Sequence, residues 1–296
     1  MPELCRTAEP SAAEDTAFEA LNGSEEEKER VAHRFREIIY RHFRENERVL
    51  PWRQTDDPYA ILVSEIMLQQ TQVERVSRKY GEFLAAFPDF RALAEAPLRE
   101  VLRRWQGLGY NRRAVALQRC SRRVVEEFGG KVPSEPGVLR TFPGIGRATA
   151  GAISVFAFGK PTAFVETNVR RVFIHFFFRG KERIPDSAIL PLVEATLDRS
   201  DPRRWYYALV DYGVVLKRRH PNPNRRSAHY ARQCPFEGSN RQLRGRIVRL
   251  LTERSALPLL DIVALVGEDR ERVERNLTCL RKEGFLAESD GRFSIR

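Results

Sequence analysis

The residues best suited to chemistry lie near the middle of the chain. Phe142-Pro143-Gly144-Ile145-Gly146 separates two helical patterns, one ending at Leu139 and the next opening at Arg147. Gly144 and Gly146 can take positive φ at little steric cost, so a tight turn there can present backbone N–H groups at the start of the following helix. Such a start is an anion site, because unpaired N–H groups and the helix dipole both favour negative charge. A PGxG turn by itself commonly joins two helices and binds nothing. Here it sits in a basic chain and leads into a small-residue helix, Ala148-Thr149-Ala150-Gly151-Ala152, which permits close packing. Two carboxylates complete the set. Glu65 lies at the start of an apolar helical run, where burial raises a carboxyl pKa toward that of a usable acid. Glu166 opens the run Glu166-Thr167-Asn168-Val169-Arg170-Arg171.

Composition narrows the partner. The 296 residues carry a formal net charge of +11, and residues 1–30 hold nine acids against three bases, so the rest is more basic than the average. A polyanion is the expected partner, although a basic surface alone is also compatible with simple solvation. Hydrophobic content of 42% with 31% charged residues fits a folded chain rather than a disordered one. The four cysteines, Cys5, Cys120, Cys234 and Cys279, have no short metal-ligand spacing. They suggest no disulfide framework, so a reducing cytoplasm is expected. No apolar run is long enough to span a membrane, and the acidic N-terminus does not read as a signal peptide.

The elements that must position these residues are mostly helices. Residues 1–27 read as a disordered acidic tail. An apolar face begins at Val31 and runs through Phe35, Ile38, Ile39 and Phe43 to a stop at Pro51. A helix after Pro58 carries Ile61, Leu62, Ile66 and Leu68, with Val73 and Val76 extending its pattern. Further helices are expected at 78–87, 97–105, 110–128, 135–141, 147–157, 186–197 and 203–216, and Trp52 is expected as a core anchor. Strand patterns are scarce, so residues 28–216 read as an all-α core. Residues 217–240 form a basic loop or linker. Residues 241–296 read as a separate winged-helix domain (α+β): three helices, then Phe285, Leu286, Phe293 and Ile295 around a Ser-Asp-Gly turn. Its third helix would carry Arg270, Arg272, Arg275, Arg281 and Lys282 to DNA, or the module would serve dimerisation or partner binding.

FPGIGRATAGA, followed by a carboxylate and NVRRV, resembles the helix-hairpin-helix (HhH-GPD) DNA glycosylases. LPWR, SEIMLQQTQV and GLGYNRRA resemble the MutY adenine glycosylases in particular, and the resemblance runs from about Leu50 to about Gly213. It implies a helix-hairpin-helix core acting in DNA base excision on double-stranded DNA that holds a damaged or mispaired base. Such an enzyme flips the base into a pocket. A purine leaves best protonated at N7, and the oxocarbenium-like sugar wants a nearby carboxylate, the logic of paired carboxylates in glycoside hydrolysis. By resemblance Glu65 protonates the purine, Glu166 faces the sugar and Asn168 lies beside it. Asn168 read without the resemblance caps the following helix. Gln70 and Tyr110 match residues that enter the base stack. Gln69, Gly144, Gly146, Arg147, Arg170 and Arg275 are the other expected DNA contacts. Ala148 stands where bifunctional relatives have a Schiff-base lysine, so hydrolysis without lyase chemistry is expected.

Three departures limit the resemblance. Glu166 replaces an aspartate and is one methylene longer. The iron–sulfur cluster of the family needs four cysteines after the core, and the matching stretch has only Cys234, so no cofactor, cluster or metal is expected. His220 and His229 lack partners at ligand spacing. The 56 residues from Arg241 are also too few for the MutT-like domain that inspects 8-oxoguanine. The leading expectation is a monomeric, monofunctional enzyme of the cytoplasm, nucleoid-associated if bacterial, that removes adenine from a mispair. The alternatives are a glycosylase for thymine or uracil opposite G, for a damaged purine or for a crosslink, and a non-catalytic winged-helix DNA-binding protein.

Overall fold

The computed structural model describes residues 23–232 and 235–296. Most of the tail read over 1–27, and Cys5 and Cys234, lie outside the described residues. The described chain falls into two compact units, one built from residues up to 48 and 159–231, the other from 49–158 and 232–296. Residues 28–216, read as one core, are thus shared between two units, and 241–296 group with 49–158.

In the first unit, α1 spans Glu25–Asn46, α9 Thr167–Phe177, α10 Asp186–Thr196 and α11 Pro202–Arg219. α1 starts inside the stretch read as tail because Ser24 and Glu27 form a reciprocal capping box. Phe35 anchors the interior, its ring meeting those of Phe173, Phe176, Phe177 and Trp205 at centroid separations of 5.1–5.7 Å. α9 and α11 approach closely at Gly213, where an added Cβ would lie 2.7 Å from the Asn168 carbonyl oxygen.

In the second unit, α2 spans Pro58–Leu68, α3 Val73–Ala86, α4 Phe90–Glu95, α5 Leu98–Trp105, α6 Arg112–Phe128, α7 Pro136–Leu139 and α8 Arg147–Phe158. Asp57 caps α2 through the N–H groups of Tyr59 and Ala60, with Pro58 in the first turn. The sequence pattern carried α2 on through Val76, but the helix stops at Leu68. Gln70 takes φ +52°, which turns the Gln69–Gln72 stretch into a loop and starts α3 anew. Trp52 is buried against Tyr80, as expected of a core anchor.

Residues 240–296 have the winged-helix order: α12 (Asn240–Glu253), β1 (Leu257–Pro258), α13 (Leu259–Val266), α14 (Arg270–Lys282), β2 (Leu286–Ser289) and β3 (Arg292–Ile295). The antiparallel sheet runs β1-β3-β2. Asp290 and Gly291 both have positive φ, the geometry of a two-residue hairpin. The short β1 was not legible in the sequence. The module is not a loose appendage: Leu243, Ile247, Leu251, Leu277 and Phe285 belong to the same apolar cluster as Phe83, Leu102 and Trp105. Arg99 Nε also donates to the Thr252 carbonyl at 2.8 Å.

Candidate active site and nucleic-acid interface

Glu166 is the N-cap of α9. One carboxylate oxygen, Oε1, accepts from the N–H groups of Asn168 (2.6 Å) and Val169 (2.7 Å), and Oε2 accepts from Asn168 Nδ2 at 3.3 Å. The cap is therefore Glu166 and not Asn168. Asn168 Oδ1 accepts from Arg171 Nη1 at 2.6 Å, and the same nitrogen donates to the Gly213 carbonyl at 2.7 Å. Arg171 is buried, and its Nε donates to Asn222 Oδ1 at 3.1 Å. The stretch entering Glu166 is clasped by Tyr206, whose hydroxyl donates to the Thr162 carbonyl and accepts the Phe164 N–H, both at 3.0 Å. Burial pushes the Glu166 pKa above the usual carboxyl value. The Val169 and Asn168 N–H groups and the charges of Arg171 and Arg170 oppose that rise. Arg171 and Tyr206 were missed by sequence reasoning, since a buried arginine and a core tyrosine leave no periodic trace.

Arg170, expected on DNA, makes a bidentate pair with Asp186 at 2.6 and 2.7 Å. The basic stretch 217–240 is likewise less of a linker than it reads. α11 continues to Arg219, and Pro223–Arg226 form a short 3-10 turn. Asn224 Nδ2 donates to the Thr167 carbonyl at 2.9 Å, and Arg226 donates to the carbonyls of Ile174 (3.1 Å) and Phe178 near the end of α9. Of the four cysteines, Cys120 and Cys279 lie among the described residues. Cys120 is a buried thiol, pushed up to about 12 by burial, that donates to the Pro143 carbonyl. Cys279 is exposed on α14. Among the described residues no three His, Cys, Asp or Glu side chains form a candidate metal site.

The second unit carries Glu65, the hairpin and the two wedge candidates. Glu65 lies in the last turn of α2 rather than at its start, partly buried between fully buried Ser64 and Ile66. Between α7 and α8 the hairpin closes with the Ile145 N–H on the Phe142 carbonyl. Gly144 has φ +75° and backs onto Ala116, where its own Cβ would sit 3.0 Å away; Gly146 does not take positive φ. Gly144, Gly146 and Arg147 are exposed. Gln69, expected on DNA, instead staples the hairpin: its Nε2 donates to the Gly144 carbonyl and to Thr149 Oγ1, both at 3.1 Å.

Gln70 and Tyr110 share an uncommon backbone state. Both sit in the left-handed region, at φ +52° and +46°, among only four such non-glycine residues in the described chain. Strain of this kind costs on the order of 1–3 kcal/mol and persists where the surroundings hold it. The holder is Arg113, another residue the sequence did not single out. Its buried Nη1 donates to the carbonyls of Ile66, Met67 and Gln69 (2.6–2.9 Å), and Nη2 donates to Thr71 Oγ1 and the carbonyls of Leu108 and Gly109 (2.8–3.1 Å). Burial lowers its pKa to about 10, which leaves it a cation at neutral pH. One guanidinium thus caps the end of α2 and joins the loops that bear Gln70 and Tyr110.

On α14 the arginines are largely engaged inside the module. Arg270 pairs with Glu274 and Arg281 with Glu288. Arg272 turns inward to Glu268 and to the Gly238 carbonyl. Arg275 is exposed and has no ion pair among the described residues.

A helix-hairpin-helix turn in a helical core defines the class, and comparison with known proteins gives the family. The model of the HhH-GPD superfamily base excision DNA repair proteins matches residues 63–189. An adenine DNA glycosylase of Mycolicibacterium smegmatis is 35% identical over 271 residues, covering 84% of this chain and 91% of that protein. The chain belongs to the HhH-GPD superfamily of base excision DNA repair proteins. It spans 50% of the adenine DNA glycosylase of Buchnera aphidicola (34% identical) and 38% of that of Homo sapiens (36% identical), matching them over 60% and 69% of its own length. Among solved structures, a thermostable thymine-DNA glycosylase is similar at TM-score 0.56 and 28% identity, over 64% of this chain and 88% of that one. A non-covalent endonuclease III–DNA complex shares the fold at TM-score 0.51 and 21% identity, over 65% and 86%.

Proposed function

We propose that this protein is a monofunctional DNA glycosylase that hydrolyses the N-glycosidic bond of adenine in a mispair. It acts on double-stranded DNA as a cytoplasmic monomer, without an iron–sulfur cluster. The observation that carries this reading is the build of Glu166. Its carboxylate is part-buried and pinned through both oxygens, and Asn168, Arg171 and Tyr206 fix its surroundings. A preorganised, poorly hydrated carboxylate stabilises a developing oxocarbenium ion better than one in water does. In the reaction Glu65 gives a proton to N7 and the C1′–N9 bond breaks. Water then adds to C1′, with Glu166 stabilising the cation and assisting loss of the water proton. Ala148, in the first turn of α8, supplies no amine, so no Schiff base forms there.

Sodium borohydride trapping during turnover tests the monofunctional assignment. No covalent protein–DNA adduct is expected, and strand breaks should appear only after alkali. A trapped adduct would overturn it. A second reading, excision of thymine or uracil opposite G, draws on the likeness to the thymine-DNA glycosylase structure.

A further inference from the structure

The winged-helix module reaches the wedge loop directly. Arg241, the second residue of α12, donates from Nη1 to the Tyr110 hydroxyl at 2.7 Å, across 131 positions of sequence. Its guanidinium lies 5.4 Å from the Tyr110 ring centroid and 5.2 Å from that of Phe236, within cation–π reach of both rings as well as hydrogen-bonded. Arg113 sits 5.6 Å from the same tyrosine ring, so two guanidiniums lie close to Tyr110. Arg241 is itself placed from behind. Ser239 caps α12 through the Gln242 N–H. Arg272 on α14 donates to the Gly238 carbonyl at 2.5 Å and to Asn240 Oδ1 at 3.3 Å, and Glu268 braces Arg272 at 2.6 Å. A continuous polar chain therefore runs from α14 through the start of α12 to the hydroxyl of a tyrosine held in the left-handed region.

We infer that Arg241 is a positioning residue for Tyr110, through which the C-terminal module sets the wedge that opens the base stack. The inference rests on the reading of Tyr110 as a residue that enters DNA. Arg241 fixes where the ring points; it does no chemistry. The module then acts on base extrusion and not only on duplex affinity.

The test uses the full chain and a duplex with 2-aminopurine beside the target base, so that fluorescence reports unstacking. R241A, Y110F and the double variant are compared by fluorescence rise, single-turnover rate and affinity for undamaged duplex. R241A and Y110F should each lose most of the fluorescence rise and roughly tenfold in rate, since a small misplacement at such a site is costly. Affinity for undamaged duplex should stay within about twofold, and adding R241A to Y110F should change the rate by less than about twofold, as partners in one contact do. R241K, which keeps the cation but not the planar fork, should fall between wild type and R241A and guards against a folding defect in the latter. Independent, multiplying effects of R241A and Y110F would overturn the inference. So would a loss confined to duplex affinity, which would make Arg241 a phosphate contact. A wild type that raises no fluorescence would remove the wedge reading of Tyr110, and the inference with it. Fluorescence that rises equally in wild type and R241A would remove the inference alone.

Discussion

Glu166 is one methylene longer than the aspartate its family pattern has, yet it still caps α9 through two backbone N–H groups. Its raised pKa has a definite sign. Ionising Glu166 costs the folded state, so its contribution to stability is full below the ordinary carboxyl pKa and is lost as pH rises through the folded value. In the proposed reaction, excision needs the carboxylate. The rate should therefore fall, as pH drops, through a midpoint above the usual 4.5 of a free glutamate side chain. R170Q removes a positive charge that opposes the rise, and should move that midpoint further up; single-turnover rates against pH check this, and an unmoved or lowered midpoint contradicts it. At this scale the sequence was a partial guide. Motif residues such as Glu166, Tyr110 and Gly144 were legible because their types and spacing are unusual. Arg113, Arg171 and Arg241 were not, because an arginine in sequence looks the same whether it meets solvent or carries six hydrogen bonds inside the protein.

The elements explain how the site residues keep their places. α9 carries Glu166 and Asn168 at its start, and α11 presses against it at Gly213 with no room for a side chain. In an open helix Gly→Ala gains roughly 1 kcal/mol. Here the new methyl would meet the Asn168 carbonyl at 2.7 Å. G213A is expected to destabilise the protein by about 1–3 kcal/mol through overpacking. It should also slow excision by more than roughly tenfold, because the start of α9 must move. Chemical denaturation and single-turnover kinetics read the two effects; a stabilised, fully active G213A would contradict this account. Helix positions were broadly legible from apolar periodicity. The break at Gln69–Gln72 was not, because Val73 and Val76 prolong the pattern of α2 and only the left-handed turn at Gln70, held by Arg113, interrupts it. The short helix α4 and the two-residue β1 are too brief to show a period.

At the scale of the whole molecule, the module over 240–296 is packed into the unit that holds the hairpin. Lys282 and Phe285 from the module line a groove with Arg112, Arg119 and Pro143, beside the hairpin glycines. Lys282, Arg112 and Arg119 are exposed, and Arg119 reaches across to the Glu283 carbonyl at 3.3 Å. If duplex DNA tracks this groove, K282A should weaken binding alike on all sequences and reduce the salt slope of log affinity by about 1. Titrations at several salt concentrations decide it, and an unchanged slope would place the DNA elsewhere. The basic balance of the sequence points to a polyanion. It did not foretell that Arg270, Arg272 and Arg281 of α14 would each pair with a glutamate of the module, beside exposed Arg275 and Lys282.

The identity of the excised base is the most direct test of the proposed function. Single-turnover excision should be measured on duplexes carrying A opposite 8-oxoguanine, A opposite G, and T or U opposite G, with Glu65→Gln and Glu166→Gln beside the wild type. Adenine release from the mispairs, abasic sites revealed by alkali, and loss of roughly 100-fold or more in each variant are expected. Release of thymine or uracil instead of adenine, or adenine release that survives Glu166→Gln, would contradict it.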